Sequence, residues 1–309
     1  MKKILGTSLL LLAASGGTAL AASPQPLVDA NWVGENSCKP GVVVLDIRSE
    51  IDGGSQVDYL RGHIPCAIYS DFMKGGWRTK VNNVPAMLPP LPQIEKLIGS
   101  LGIDNSTHVV IYSAGTNATS MGASTRVYWT FKVLGDNNVS ILNGGYAGYV
   151  ANKSNKIQTG MNTPKPATFS AHFRPELDAT EAEVAKAMKQ HVVLVDNRPS
   201  DQYLGVNHVP LAKRSGTIPG AKNVPEAWLT ENDGGKFRDA AALKKLYKDA
   251  GVAAKGEQIN FCNTGHWASV GWFASREILG NKQARLYDGS MVEWSADPKA
   301  PMVQKIKTE

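Results

Sequence analysis

The chain has 309 residues, of which 42% are hydrophobic and 19% are charged, and it contains 30 Gly, 17 Pro and only 3 Cys. This composition excludes an intrinsically disordered chain, which lacks core-forming residues, and a small scaffold built on many disulfides. The formal net charge of +6 is scattered, without the clustered Lys and Arg that bind nucleic acid. We therefore expect no nucleic-acid partner, while a small anionic substrate and a merely solvated surface explain the positive charge equally well.

Residues 1–21 are predicted to be a secretory signal peptide. Lys2 and Lys3 give a positively charged start, an apolar run follows over residues 4–14, and Ala19-Leu20-Ala21 supplies the small residues needed for cleavage. The run is shorter than the roughly 20 apolar residues of a membrane-spanning helix, so an uncleaved anchor is the less favoured alternative. We expect a periplasmic or secreted protein with no membrane attachment after cleavage.

Export bears on the three cysteines. Cys38 and Cys66 flank the first predicted strand, and in an oxidising compartment they can form a disulfide. Two separate buried thiols stay equally open, because the sequence does not give the distance between their Cα atoms. Cys262 is the odd cysteine in either case, and such a residue in an exported protein is a candidate reactive thiol.

An internal repeat with an offset of about 150 residues organises the rest of the chain. Four segments recur in the same order with nearly constant spacing, which indicates a tandem duplication. The matching pairs are 42–48 and 192–198, 62–65 and 216–219, 101–103 and 250–252, and 139–145 and 284–290. We predict a first domain over residues 22–160, a Pro-containing linker over 161–177 and a second domain over 178–309.

Each copy alternates apolar runs with amphipathic stretches of helical spacing. The runs predict strands buried on both faces of a parallel sheet, and the stretches predict helices that end at a glycine. Strands are expected at 42–45, 109–112, 192–195 and 258–261, and helices at 92–100 and 239–250. This alternation predicts the α/β class, with a mostly parallel sheet and helices on both faces in each copy.

The loop after the strand at 258–261 carries the candidate chemistry. Cys262 ends that strand, and five further residues, Asn263 to Trp267, lead into a helix expected to begin near Ala268. Main-chain N–H groups and the helix N-terminus favour an anion there, and they make a thiol more acidic. Gly265 permits the backbone conformation that the turn requires. The pattern indicates a nucleophilic thiolate that accepts an anionic substrate, and a buried structural cysteine is the alternative.

The two copies resemble the tandem rhodanese sulfurtransferases, which comprise thiosulfate and 3-mercaptopyruvate sulfurtransferases. The motifs that carry the resemblance are LDIR at 45–48, GHIP at 62–65, MLP at 87–89, SLGI at 100–103, RVYW at 126–129, LNGG at 142–145, VDNR at 195–198, GTIPGA at 216–221, CNTG at 262–265 and YDGS at 287–290. The resemblance implies two rhodanese-like domains, of which the C-terminal one is catalytic. The N-terminal copy has Ser113 at the position of Cys262, so we expect it to be structural and to add at most a wall of the cleft.

By this resemblance, the Cys262 thiolate takes the outer sulfur of thiosulfate or 3-mercaptopyruvate as a persulfide and passes it to a thiol or to cyanide. The loop amides stabilise both anionic forms of the sulfur, so no metal and no cofactor are expected. A periplasmic carrier that holds a persulfide for a partner, without efficient free turnover, is the alternative function. A Cys-dependent phosphatase is disfavoured, because the position of its phosphate-binding arginine is Ala268.

The residues predicted to bind substrate are Asn263, Thr264, Gly265, His266, Trp267, Ala268, Arg198 and Arg214. Thr264 favours mercaptopyruvate, since thiosulfate-using relatives carry Lys there, and Gln202 replaces an arginine of the relatives. Arg214 or Lys213 is a candidate replacement anion anchor, and a solvated surface pair is the alternative. For Arg198, support of the fold through Asp196 or a neighbouring loop is preferred over a substrate contact. His266 is a candidate acid or base, or else it points to solvent. For Trp267, a pocket wall and interdomain packing are both open.

Overall fold

Two five-stranded parallel sheets form the centres of two α/β domains in this computed structural model, which describes residues 24–307. The predicted signal peptide lies outside the described residues. Within residues 24–307, no helix combines the length and the apolar character needed to cross a membrane.

The first domain holds seven strands and five helices in its described part. In chain order they are β1 (Leu27–Val28), α1 (Ala30–Asn36), β2 (Val42–Asp46), α2 (Gln56–Arg61), β3 (Ile68–Tyr69), β4 (Thr79–Val81), β5 (Val84–Met87), α3 (Leu91–Ser100), β6 (His108–Tyr112), α4 (Ala118–Val133), β7 (Val139–Leu142) and α5 (Gly145–Ala151). The sheet order is β1-β7-β6-β2-β3, and β4 and β5 form a separate antiparallel hairpin.

The second domain repeats this topology after residues 161–174, which form no helix or strand. Its elements are β8 (Asp178–Ala179), α6 (Glu181–Lys189), β9 (Val193–Asp196), α7 (Ser200–Leu204), β10 (Lys222–Asn223), α8 (Ala240–Asp249), β11 (Gln258–Phe261), α9 (His266–Phe273), β12 (Ala284–Tyr287) and α10 (Ser290–Trp294). The sheet order is β8-β12-β11-β9-β10. Each strand therefore occupies the place of its repeat partner in the first sheet, whose order is β1-β7-β6-β2-β3. The predicted fold class is thereby confirmed.

Helices α4 and α9 bring the two domains together. Nearly every residue of both helices is buried, as expected for helices that pack on a sheet on one side and on another helix on the other. Thr125 of α4 and Ser269 of α9 share a hydrogen bond of 2.7 Å between their hydroxyl oxygens. Because α9 begins directly after the loop that contains Cys262, this interface also places the first domain beside that loop.

The predicted strands and helices agree with the structure to within one or two residues at each end. The main difference is α9, which begins at His266 and not near Ala268. Gly265 adopts a left-handed backbone conformation, with φ of +72°, and this tight turn lets the helix start at once. Cys38 and Cys66 are joined by a disulfide with their Cα atoms 5.3 Å apart, which settles a pairing that the sequence left open.

Candidate active site

Cys262 lies at the carboxyl end of β11, where its side chain is only 1% exposed. Ser290, which follows β12, holds both ends of the loop from the neighbouring strand. Its hydroxyl oxygen accepts hydrogen bonds from the main-chain N–H groups of Cys262, at 3.1 Å, and Gly265, at 3.2 Å. The same hydroxyl donates to the carbonyl of Tyr287 at 2.7 Å. The loop is therefore fixed by its own domain before any substrate binds.

The electrostatics of the thiol are set by two opposing effects. Burial raises the pKa of Cys262 above its ordinary value, because water no longer solvates the thiolate. The nearby main-chain N–H groups of Ala268, Thr264 and Trp267 favour the thiolate and lower the pKa, but they only partly compensate. The pKa of Cys262 is thus shifted in the direction opposite to the expected acidic thiol, because burial outweighs the main-chain donors.

Gly265 occupies a position that accepts no side chain. A Cβ atom there would lie 2.3 Å from Nη1 of Arg126 and 2.9 Å from Oδ1 of Asp288. Both distances are far below ordinary van der Waals contact. The glycine therefore serves the turn, as predicted, and also the close approach of an arginine from the other domain.

His266 is buried and Trp267 is half-buried, and both contact the first domain. Nε2 of His266 lies 2.8 Å from the carbonyl oxygen of Thr119, and Nε1 of Trp267 donates to the hydroxyl of the same residue at 3.0 Å. A carbonyl only accepts, so Nε2 carries the proton of the imidazole. Burial, together with the charge of Arg78, lowers the pKa of His266 to about 3. The ring is therefore neutral at physiological pH, which corrects the solvent-exposed interpretation and removes support for an acid role.

Arg126 of α4 crosses the interface to reach the loop. Its Nη1 lies 2.6 Å from Oδ1 of Asp288, and both side chains are almost completely buried. The other carboxylate oxygen of Asp288 accepts the main-chain N–H of Leu88, from the first domain, at 2.7 Å. Sequence reasoning did not place Arg126 at the site. The usable indication was an arginine directly before the large apolar run of residues 127–129, because a buried guanidinium needs a partner.

Arg78 is a second cation of the first domain beside the loop, and it too was missed. Its guanidinium lies 4.6 Å above the ring of Phe72, and that ring lies 5.4 Å from the ring of His266. Burial and the neighbouring charge of Arg126 lower the pKa of Arg78 to about 10, so it is still cationic at neutral pH. No sequence motif marked the segment that carries it.

The structure gives Arg198 the role in the fold that sequence analysis preferred over a substrate contact, and it gives Arg214 a structural role in place of the predicted substrate contact. Arg198 forms a fully buried ion pair with Asp196 at 2.5 Å and donates to the carbonyl of Gly216 at 2.8 Å. Arg214 donates to four main-chain carbonyl groups near the C-terminus, those of Trp294, Ser295, Asp297 and Ala300. The N–H groups of these two side chains join separate segments of the second domain. A guanidinium group that is shielded from water needs several hydrogen-bond acceptors at once.

The remaining predicted residues stay with the loop. Nδ2 of Asn263 donates a hydrogen bond to Oε1 of Gln202 at 2.9 Å. Gln202 stands where the resemblance to the family implies an arginine, and its side-chain amide contacts the loop instead. Thr264 is half-buried and Ala268 is fully buried, and both direct their main-chain N–H groups at Cys262. The loop thus contributes donors to the sulfur, while the nearby cations come from the first domain.

Comparison with known proteins assigns the chain to a family. A family model of the rhodanese-like domain matches residues 29–152 and residues 180–297, which together make up more than half of the chain. The chain belongs to the tandem rhodanese sulfurtransferase family. The order of strands is the same in its two rhodanese domains, in agreement with the two matches.

Relatives of this rhodanese cover almost its whole length. A putative thiosulfate sulfurtransferase of Haloferax volcanii is 35% identical, and the alignment covers 89% of this chain and 95% of the relative. The sulfur carrier protein TtuD of Thermus thermophilus is 31% identical, with coverage of 88% and 94%. The crystal structure of SseA from Escherichia coli, described as a 3-mercaptopyruvate sulfotransferase, has a TM-score of 0.73 at 26% identity and covers 86% of this chain and 99% of SseA.

In the first rhodanese domain, the polar groups of the corresponding loop form hydrogen bonds to other residues of the protein. Ser113, at the repeat position of Cys262, is buried and accepts a hydrogen bond from Ser124 at 2.9 Å. The main-chain N–H of Ala114 donates to the carboxylate of Asp52 at 2.8 Å, and that of Ala118 donates to Asp233 at 3.2 Å. Main-chain N–H groups of this loop in the first domain therefore bind carboxylates of the protein, one from each domain.

Proposed function

We propose that this rhodanese transfers a sulfane sulfur from thiosulfate or 3-mercaptopyruvate to a thiol or cyanide through a persulfide of Cys262. With thiosulfate, the Cys262 thiolate attacks the outer sulfur, the S–S bond of the donor breaks, and sulfite leaves with the bonding electrons. Cyanide then attacks the terminal sulfur of the persulfide, which forms thiocyanate and regenerates the thiolate. Neither step requires an external oxidant or reductant.

The observation that carries the proposal is the set of main-chain N–H groups directed at the sulfur of Cys262. These donors interact favourably with a negative charge and therefore stabilise the thiolate and the terminal sulfur of a persulfide relative to the neutral thiol. Because burial raises the pKa of the Cys262 thiol, the anion forms most readily when the main-chain donors and the nearby cations act on it together.

Both donor classes fit a site with cations from the first domain. Each donor carries its transferable sulfur on a small anion, a sulfonate in one case and a carboxylate in the other. Thr264 in place of a lysine favours 3-mercaptopyruvate, and the Escherichia coli relative is described with that substrate. The predicted leader and the Cys38–Cys66 disulfide support a periplasmic or secreted location for the reaction.

The test compares thiocyanate formation from the two donors by the wild type and by Cys262→Ser. The wild type should turn over at least one donor with ping-pong kinetics, and donor-treated protein should gain the mass of one sulfur atom on Cys262. The serine variant should lose both signals while keeping its thermal unfolding midpoint. Sulfur transfer by the serine variant, or a wild type that never gains sulfur, would contradict the proposal.

A persulfide carrier is the second candidate, and the relative named as a sulfur carrier protein favours it. A carrier would load Cys262 in one step but would release the sulfur to small acceptors slowly. Single-turnover loading with steady-state turnover at least about a hundredfold slower would identify a carrier. Matched rates for the two steps would identify an enzyme.

A further inference from the structure

In the described part of the second rhodanese domain, the arginines predicted to bind substrate are not free to meet an anion at the Cys262 loop. From Cys262 to Ser275 the sequence contains no Lys or Arg, and position 202 is Gln. Arg198 and Arg214 donate to internal partners, as described above. An anionic donor that reaches Cys262 therefore needs a counter-charge from elsewhere in the molecule.

A segment of the first domain covers the Cys262 loop and supplies this counter-charge. It extends from Phe72, whose ring lies 5.4 Å from His266, to Leu88, whose N–H binds Asp288 at 2.7 Å. Arg78 lies between these two contacts, just before β4, and its guanidinium stacks on Phe72 at 4.6 Å. The segment thus holds Arg78 beside the loop that begins at Cys262.

Arg78 has no carboxylate counter-ion within residues 24–307. Every salt bridge of that part of the chain joins other groups, and the side-chain acceptor of Arg78 is the weakly accepting sulfur of Met73, at 3.2 Å. The neighbouring Arg126, by contrast, is neutralised by Asp288. A half-buried arginine with an uncompensated charge next to a nucleophile is suited to a small anion, because partial burial strengthens the attraction.

We propose that Arg78 of the first domain binds the anionic group of the sulfur donor while Cys262 attacks the outer sulfur. This inference rests on the proposed function and names the residue that replaces the relatives' arginine at Gln202. The active site is then composite: the second domain supplies the nucleophile and the first domain supplies the substrate anchor.

The first experiment measures steady-state sulfur transfer from thiosulfate by Arg78→Gln, Arg78→Lys and a matched control, Arg61→Gln, at an exposed position of the same domain. Losing a charge-assisted contact should raise the KM of Arg78→Gln for thiosulfate about 10- to 100-fold, with a smaller change in kcat. Lysine should restore part of the affinity, and Arg61→Gln should match the wild type. A KM for Arg78→Gln equal to that of an active wild type overturns the inference.

A second experiment separates this inference from the proposed function. Thiosulfate binding is measured by calorimetry with Cys262→Ser, which cannot turn the donor over, and with the double variant Cys262→Ser, Arg78→Gln. Weaker binding by the double variant supports the anchor even if the wild type transfers no sulfur, and that latter result would count against the proposed function alone. Equal binding by the two proteins, including no binding by either, overturns the inference.

Discussion

Cys262 has a thiol whose pKa is raised by burial, and this sets the direction of its pH dependence. The reactive form is the thiolate, so reaction rates should increase with pH. They should still be rising at about pH 8.5, which is the pKa of cysteine in peptides. Alkylation by iodoacetamide measures this directly, because Cys262 is the one free cysteine once Cys38 and Cys66 are joined. A rate that is already constant below about pH 7.5 would show the acidic thiol that the sequence indicated.

Gly265 should be less tolerant of alanine than a glycine with the same backbone conformation elsewhere. Its φ is +72° and that of Gly251 is +70°, but only Gly265 would place a Cβ atom 2.3 Å from the guanidinium of Arg126. The left-handed conformation alone costs an alanine roughly 1–2 kcal/mol. Gly251→Ala should show that loss of stability and normal sulfur transfer, whereas Gly265→Ala should be less stable and at least about tenfold less active. Thermal unfolding and thiocyanate assays of both variants decide this, and identical behaviour contradicts the predicted clash.

The contact between α9 and α4 should make stability depend on pH through His266. Its pKa is about 3 in the folded protein and near 6.5 in an unfolded chain, so between these values the unfolded state binds the extra proton. Stability should therefore fall as the pH decreases below 6.5, with a contribution from this residue of up to about 1.4 kcal/mol per pH unit. Above pH 6.5 the imidazole is neutral in both the folded and the unfolded state, so His266 no longer makes stability depend on pH.

Urea unfolding at pH 7.5, 6 and 5 measures this contribution in the wild type, in His266→Gln and in His208→Gln, which replaces an exposed histidine. The glutamine at position 266 should flatten the decrease at low pH, because glutamine does not titrate. His208→Gln should retain the slope of the wild type. If all three proteins lose stability equally between pH 7.5 and 5, the buried neutral imidazole is not responsible.

Elements with a strong local pattern were predictable, and contacts between elements were not. The apolar runs within β2, β6 and β9 identify buried parallel strands, because side chains on both faces must then be apolar. The strand β11, which precedes Cys262, has the sequence Gln-Ile-Asn-Phe, and its place follows from the internal repeat, in which it corresponds to β6. By contrast, β4 and β5 form a short hairpin whose three or four residues carry no clear alternation, so Arg78 could not be placed.

The electrostatics of the site were predictable only in part for a related reason. Loop amides and a helix N-terminus are local features, and the sequence indicated them correctly. Burial depends on how α4 and the segment from Phe72 to Leu88 cover the loop, which is a tertiary property. It reverses the expected shift in the pKa of Cys262 and turns His266 from a candidate acid into a neutral interdomain contact.

At the scale of the whole molecule, the duplication has produced reciprocal contacts. The first domain covers the Cys262 loop, and a segment of the second domain covers the loop of Ser113. In that second contact, the carbonyl of Gly235 accepts the N–H of Gly144 at 2.9 Å, and the N–H of Phe237 donates to the side-chain oxygen of Asn143 at 2.9 Å. One loop has kept a nucleophile and the other has taken up carboxylates. Each domain thus covers the loop of the other, and the first domain adds Arg78 and Arg126 to the surroundings of the Cys262 loop.

The Cys38–Cys66 disulfide should stabilise the molecule without contributing to the chemistry. It closes a segment with a sequence separation of 28 residues, and the chain-entropy relation gives about 3–4 kcal/mol for a loop of that length. Both cysteines are exposed and lie in the first domain, whereas Cys262 is buried in the second. The double variant Cys38→Ser, Cys66→Ser should therefore unfold at a lower urea concentration but transfer sulfur at the wild-type rate while folded. A reductant should lower the stability of the wild type to that of the variant and leave the variant unchanged; equal stability of the oxidised wild type and the variant would show that the bridge adds nothing to the fold.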